Sequence, residues 1–271
     1  MCRRVPCFLF AGWLLTTAGC DLAGPPRIAV PHPPSSLRPA PPVLSELPDA
    51  GDDAPPAGRS VHGRAIRCYV HGAGGETVLV LGGIHGSEPA GAVLCEQLSA
   101  YLEAHRAALA GRRVVVAPAT NPDGLAAGRR TNARGVDLNR NFDTRNRQAI
   151  RRHGPKPLSE PEARFIAELI DRYRPARIVT IHQPLACVDF DGPARELAAA
   201  MSRACGLPVR KLGARPGSLG SYAGVDKQIP IVTLELPKSA SSLGPPALWR
   251  IYGEAMLVAI RYASPAEHRG R

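Results

Sequence analysis

Gly82-Gly83-Ile84-His85-Gly86-Ser87-Glu88-Pro89 follows the apolar run 77–81 and precedes a helix-like segment at 90–104. A continuous β-rich run that ends in Gly-Gly reads as a buried strand with a sharp turn at its end. Pro89 suits the first turn of the helix that follows. His85 and Glu88 therefore sit where strand becomes helix, and in open α/β sheets the carboxyl ends of strands are where binding crevices form. An imidazole and a carboxylate three residues apart are both acceptable zinc donors and can converge on one ion. A solvated turn explains the octapeptide as well, so a metal site requires a third ligand, a base and a substrate clamp from elsewhere in the chain.

The pattern around this turn is alternating. Residues 61–70 and 77–81 read as strands joined by the Gly-rich turn at 71–76, and residues 113–118 as a third strand after the helix that holds Cys95 and Leu98. Residues 159–172 carry helical apolar spacing (Phe165, Ile166, Leu169, Ile170). Their start resembles a capping box, with Ser159 followed by Glu162. A strand at 177–181, a helix at 193–205, a strand at 229–236 and a last helix at 246–262 continue the alternation. It predicts an α/β fold with a mixed, largely parallel sheet covered by helices on both faces. No internal repeat is visible.

With 271 residues, 44% of them hydrophobic, the chain can bury one sizeable core. Its organisation divides into three. Residues 1–20 have a basic start (Arg3, Arg4), an apolar stretch too short to span a bilayer, and Thr17-Ala18-Gly19-Cys20, the pattern of an export signal. Ala18-Gly19-Cys20 resembles a bacterial lipobox, with Thr17 where leucine is usual, and implies lipidation of Cys20. Asp21 then resembles the inner-membrane retention signal of enterobacterial lipoproteins. Residues 21–59 are rich in Pro, Ala, Asp and Ser, and bury too little apolar surface to offset their ordering entropy, so they read as a disordered tether. Residues 60–271 are expected to form one folded domain. The expected location is the bacterial cell envelope, facing the periplasm and anchored to the membrane, with ordinary secretion as the alternative.

The net charge of +11 favours anionic partners, but its arginines are scattered without the aromatic interleaving or finger spacing of a nucleic-acid binder. Of seven cysteines, Cys2 and Cys7 are expected to leave with the signal, and Cys20 would be acylated. Export permits disulfides, and Cys187 and Cys205 could pair, whereas Cys68 and Cys95 lie on apolar faces as buried thiols.

Further along, Asn121-Pro122-Asp123-Gly124 has turn chemistry. The stretch from Arg129 to Phe142 is dense in Arg and Asn. It offers planar donors for a carboxylate, together with Asp137, an acid able to orient a metal-bound histidine. His182 ends the strand at 177–181, where a third ligand is wanted.

Taken in order, four segments resemble the signatures of the zinc carboxypeptidase family. They are His85-Gly86-Ser87-Glu88; Arg130-Thr131-Asn132 with Gly135-Val136-Asp137-Leu138-Asn139-Arg140-Asn141-Phe142; His182; and Thr233-Leu234-Glu235-Leu236. Ile181-His182-Gln183-Pro184-Leu185-Ala186-Cys187-Val188 and Glu235-Leu236-Pro237 are most similar to the murein peptide amidase A group, which cleaves between γ-D-glutamate and meso-diaminopimelate in peptidoglycan stem peptides. The resemblance implies one zinc ion held by His85, Glu88 and His182, with Glu235 as general base and Arg130 polarising the carbonyl. It implies that Asn139 and Arg140 grip a substrate carboxylate and that Asp137 orients His85 from behind. The loop at 211–218 lacks the substrate-binding tyrosine of digestive carboxypeptidases; Tyr222 lies further on. Two alternatives stand beside this reading: a zinc deacylase of the aspartoacylase or succinylglutamate desuccinylase type, and a lipid-tethered binding protein without turnover.

Overall fold

A computed structural model describes residues 57–263. The export-signal segment, Cys20 and most of the tether lie outside the described residues, as do 264–271. Two short strands, β1 (Gly58–Arg59) and β2 (Ala65–Ile66), pair antiparallel as a small ribbon. The chain then runs through β3 (Tyr69–His71), β4 (Thr77–Leu81), α1 (Pro89–Ala104), β5 (Arg113–Ala117), α2 (Pro122–Ala127), α3 (Pro161–Tyr173), β6 (Arg177–His182), β7 (Leu185–Asp191), α4 (Arg195–Cys205), β8 (Ile231–Pro237) and α5 (Pro245–Arg261).

The six strands from β3 onward form one sheet in the order β3-β5-β4-β6-β8-β7. Its four central strands are parallel, and the edge strands β3 and β7 each pair antiparallel with their neighbour. The apolar run of β4 is uninterrupted because both of its faces are covered. Val78 and Val80 point into a core with Leu94 and Leu98 of α1, Met201 of α4 and Met256 of α5. Leu79 and Leu81 point into the opposite core with Phe165, Ile166 and Leu169 of α3. This is the mixed, largely parallel α/β architecture that the alternation predicts.

Several local expectations need correction. The strand expected over 61–70 is broken, because residues 60–64 close a turn in which Ser60 N–H donates to Arg64 O at 2.9 Å and Gly63 takes a positive φ of 77°. Strand β7 joins the far edge of the sheet, where no element was expected. The Asn121-Pro122-Asp123-Gly124 turn continues into α2, capped by the Asn121 side chain, which accepts from Gly124 N–H at 2.9 Å. Helix α3 starts at Pro161 without a capping box. Ser159 Oγ instead donates to Glu160 Oε1, and Glu162 accepts from Val61 N–H and from Asn132 Nδ2. Cys187 and Cys205 are free thiols, so no disulfide joins them. Cys187 faces Glu235 across the β7–β8 ladder, while Cys205 ends α4 with its thiol turned to Ser202 O.

Candidate metal centre and cleft

The ends of β4, β6 and β8 bring together residues far apart in sequence. His85 and Glu88 lie in the turn after β4, His182 closes β6, and the parallel register sets His182 beside Glu235 of β8. The turn after β4 requires glycine twice. Gly83 has φ +60°, and a Cβ on Gly86 would stand 1.9 Å from the carbonyl carbon of Gly124. Helix α2 therefore packs directly under the turn. Asn121 fastens it further, donating from Nδ2 to Ile84 O at 3.1 Å.

His85, Glu88 and His182 are all buried, and each offers one ligand atom within 4.8 Å of the others. His85 Nδ1 lies 2.9 Å from Glu88 Oε1, His182 Nδ1 lies 2.9 Å from Glu88 Oε2, and the two Nδ1 atoms are 3.0 Å apart. On its other side, His85 Nε2 meets Asp137 Oδ1 at 3.1 Å. A carboxylate can only accept, so Asp137 holds the ring proton on Nε2 and leaves the Nδ1 lone pair facing inward. Lone pairs from two imidazoles and a carboxylate aimed at one another repel unless a cation or an extra proton lies between them. Two nitrogens and one anionic oxygen are a donor set that suits zinc, with coordination positions left for solvent or substrate. Burial pulls the His85 pKa down, but hydrogen bonds to Asp137 and Glu88 outweigh it and raise the pKa. Burial pushes Glu88 and Asp137 upward, and both are nevertheless held well below the usual carboxylate range, Glu88 by His182 and His85 and Asp137 by His85 and two arginines. Metal binding at such a centre displaces protons.

A cavity of about 540 Å³ opens over the cluster. It is lined by His85, Glu88, His182 and Glu235, and also by Arg130, Asn139 and Arg140. Every metal-binding, catalytic and substrate-binding residue expected within the described chain thus reaches one cleft, with Asp137 just behind His85. Glu235 is 9% exposed, and burial raises its carboxyl pKa. Arg130 Nη1 donates to Glu88 Oε1 at 3.1 Å and its Nε to Asp137 Oδ2 at 3.0 Å, which holds the guanidinium at the cavity's edge. Asn139 Oδ1 accepts from Leu219 N–H at 2.8 Å, so part of this side chain anchors the opposite wall.

Other asparagines of the Arg/Asn stretch are structural. Asn132 accepts from Arg134 and Val136 N–H and donates to Glu160 and Glu162. Asn141, fully buried, ties the loop to His153 O, Lys156 O and Ser159. Tyr222 does not line the cleft; its ring stacks on Phe142 with centroids 5.4 Å apart.

Among the cleft residues given no role from the sequence are Gln183, Asp189 and Asp191. Gln183 N–H donates to Glu88 Oε2 at 3.1 Å, while its side chain bridges Ala90 N–H and Pro237 O, tying the α1 start to the end of β8. Asp189 and Asp191 line the floor on β7. Their signal was the apolar/polar alternation of Cys187-Val188-Asp189-Phe190-Asp191, a strand pattern with acids at alternate positions.

The profile of the zinc carboxypeptidase family matches residues 55–185. Murein peptide amidase A of Escherichia coli (strain K12) is 36% identical over 203 residues, covering 68% of this chain and 81% of that protein. The chain belongs to the zinc carboxypeptidase family. Its counterpart named murein peptide amidase A in Vibrio campbellii (strain ATCC BAA-1116) is 33% identical over 183 residues, 61% of this chain and 71% of that one. Among solved structures, the murein-tripeptide amidase of Escherichia coli O157 superposes with a TM-score of 0.62 at 31% identity, over 77% of this chain and 91% of that one. Bovine thrombin-activatable fibrinolysis inhibitor shares the fold at 18% identity, with a TM-score of 0.61 over 75% of this chain and 86% of that one. As a zinc carboxypeptidase relative the protein is a metallopeptidase-type hydrolase, and its His85-Glu88-His182 cluster fits the metal of that family.

Proposed function

We propose that the protein is an exported zinc amidase that hydrolyses stem peptides of peptidoglycan at the γ-D-glutamyl-meso-diaminopimelate bond. The observation that carries this reading is the convergence of His85, Glu88, His182 and Glu235 in a cavity that also holds Arg140. The similarity to murein peptide amidase A supports the substrate class. His85, Glu88 and His182 would hold zinc, which would supply Lewis acidity that makes an attacking water more acidic. Glu235 takes the proton of that water and returns it to the leaving amine, a role that suits a carboxylate whose burial raises its pKa. Arg130, already at the cavity edge, presents a fixed positive charge to the oxyanion that develops on the carbonyl. Arg140 and Asn139 meet the free carboxylate on the leaving side, where a planar guanidinium can bind both oxygens.

The N-terminal sequence supports export, lipidation at Cys20, and a tether that ends before strand β1 at Gly58–Arg59 and lets the catalytic domain reach the wall from the membrane. The test is turnover of a defined muropeptide by the zinc-loaded protein, followed by mass spectrometry. Release of diaminopimelate from L-alanyl-γ-D-glutamyl-diaminopimelate is expected, with Glu235→Gln lowering kcat by several powers of ten while keeping its zinc. Comparable turnover by Glu235→Gln would overturn the mechanism, and no turnover by the zinc-loaded wild type would overturn the substrate.

A further inference from the structure

The ribbon of β1 and β2 lends no side chain to the cleft, yet its polar groups go to two buried carboxylates beside it. The ribbon is itself firmly placed. Gly58 lies so close to α3 that a Cβ there would stand 2.6 Å from the Phe165 ring, and Ile66 shares a core with Ile84 of the metal turn. Between the two strands, the turn at 60–64 aims its donors at Asp123 of α2. His62 N–H donates to Asp123 Oδ2 at 2.9 Å, and Arg64 Nη1 donates to Oδ1 at 2.5 Å. Arg64 N–H donates to Ser60 Oγ at 3.0 Å, which closes the turn. Its neighbour Val61 N–H donates to Glu162 Oε1 at 3.1 Å.

Asp123 and Glu162 are 4% and 0% exposed, so each needs partners to offset its lost hydration. The ribbon supplies them. Burial pushes the Asp123 pKa up, but hydrogen bonds from His62 N–H and from the Arg64 and Ser60 side chains outweigh it and hold it below its ordinary value. Both carboxylates lead on to the cleft by a short series of contacts. Asp123 precedes Gly124, the residue on which Gly86 of the metal turn is packed, and Asn121 at the start of the same helix holds Ile84 O. Glu162 Oε2 accepts from Asn132 Nδ2 at 3.1 Å, and Asn132 Oδ1 accepts from Val136 N–H at 3.1 Å, immediately before Asp137. Asn139 and Arg140 follow in the same loop.

We propose that Arg64, Asp123 and Glu162 are positioning residues: through Asp123 the ribbon clamps α2 beneath His85 and Glu88, and through Glu162 it clamps the loop of Asp137, Asn139 and Arg140. Neither clamp touches metal or substrate. Without Arg64, Asp123 is a buried carboxylate whose charge is unmatched, and α2 must tilt to bring it to water. Gly86 rests on Gly124 with no room for a methyl group between them, so a tilt of α2 changes the support of the metal turn. Without the Glu162 carboxylate, Asn132 loses an acceptor and its hold on Val136 loosens, which displaces the arginine and asparagine that grip substrate. The proposal rests on the amidase reading only for the peptide used to measure KM; the metal turn is measured without turnover.

The full-length protein is assayed for zinc affinity by chelator competition, for its melting temperature, and for kcat and KM on the muropeptide at saturating zinc. Arg64 is exposed, so its replacement spares core packing. Arg64→Ala should weaken zinc binding at least about threefold, the low end of what a residue remote from a ligand transmits. Arg64→Lys, which keeps the charge, should restore most of that loss. Glu162→Gln keeps an oxygen for Val61 N–H but turns an amide donor toward Asn132, and should raise KM at least about threefold with a smaller change in kcat. Ile260→Val, in the core on the other face of the sheet, serves as the control for general destabilisation: its melt should fall while zinc affinity and KM stay within twofold of wild type. Should Arg64→Ala fail to fold, Ser60→Ala removes the hydroxyl that closes the turn, and zinc binding is expected to weaken in the same direction. Zinc affinity within twofold of wild type in the folded variant of this pair, or a loss that Ile260→Val reproduces, overturns the proposal for α2; an unchanged KM in Glu162→Gln overturns it for the loop. If the wild type hydrolyses no muropeptide, the amidase reading falls, and the zinc affinities still decide whether the ribbon holds the metal turn.

Discussion

Asp137→Asn isolates the contribution of a residue that touches no substrate. The carboxylate has three partners: His85 Nε2 at 3.1 Å and Asn139 N–H at 3.1 Å on Oδ1, and Arg130 Nε at 3.0 Å on Oδ2. Asparagine can keep its oxygen toward His85, but its amide then points N–H groups at the Arg130 guanidinium, donor against donor. The negative charge behind His85 disappears as well, so the imidazole becomes a poorer base toward the metal and its tautomer is less firmly held. Removing an acidic partner behind a metal-bound histidine weakens metal affinity roughly 10- to 100-fold, or about 1.4 to 2.7 kcal/mol. Competition against a chromophoric chelator measures that affinity directly. Asp137→Asn should show the 10- to 100-fold loss while still binding zinc, and His182→Ala, which removes a ligand, should lose far more. Zinc affinity within twofold of wild type in Asp137→Asn would refute the claim that the carboxylate fixes the His85 lone pair.

Gly86→Ala introduces a methyl group where the backbone of Gly124 already lies 1.9 Å away, so the turn or helix α2 must move. Overpacking of this kind costs about 1 to 3 kcal/mol, and both the melting temperature and zinc affinity should fall; a melt and affinity equal to wild type would show that the turn is not pinned by α2. The acid limb of the kcat/KM profile should lie above the range of an exposed glutamate, because burial raises the Glu235 pKa and activity is lost as pH falls through it. A limb at or below the ordinary glutamate value would remove Glu235 from that role. Cys20→Ala should release the protein from the membrane fraction into the soluble one, since a lipid anchor needs its acylated residue; unchanged membrane fractionation would rule out Cys20 as the anchor.

Much of the fold is legible because its strands are buried on both faces. Thr77–Leu81 and Arg177–His182 are fully buried strands, built on the β-branched and aliphatic runs Val78 to Leu81 and Ile178 to Ile181. The elements that eluded sequence reading obey other constraints. Strand β7 lies at the sheet edge and interleaves cleft-facing Asp189 and Asp191 with Val188 and Phe190, so its composition is set by the cleft as much as by the core. The start of α3 shows the same effect. Ser159 and Glu162 have capping-box spacing, yet tertiary partners claim both side chains: Asn141 and Glu160 for Ser159, Val61 and Asn132 for Glu162. Local pattern identifies a helix start only while no distant donor competes for the same oxygens.

The same distinction separates the legible from the illegible parts of the cleft. His85, Glu88 and His182 occupy strand ends, and their residue types are dictated by what can hold a metal, so spacing along the chain is enough to suggest them. Asp189 has no such signature. Its significance depends on being two residues from Glu235 across a ladder, a relation that exists only once β7 and β8 are paired. Gln183 likewise acts through Glu88, Ala90 and Pro237, partners drawn from three elements. The metal cluster is therefore legible in short stretches of sequence, whereas the places of Asp189 and Gln183 in the cleft are fixed by strand register and by contacts between elements distant in the chain.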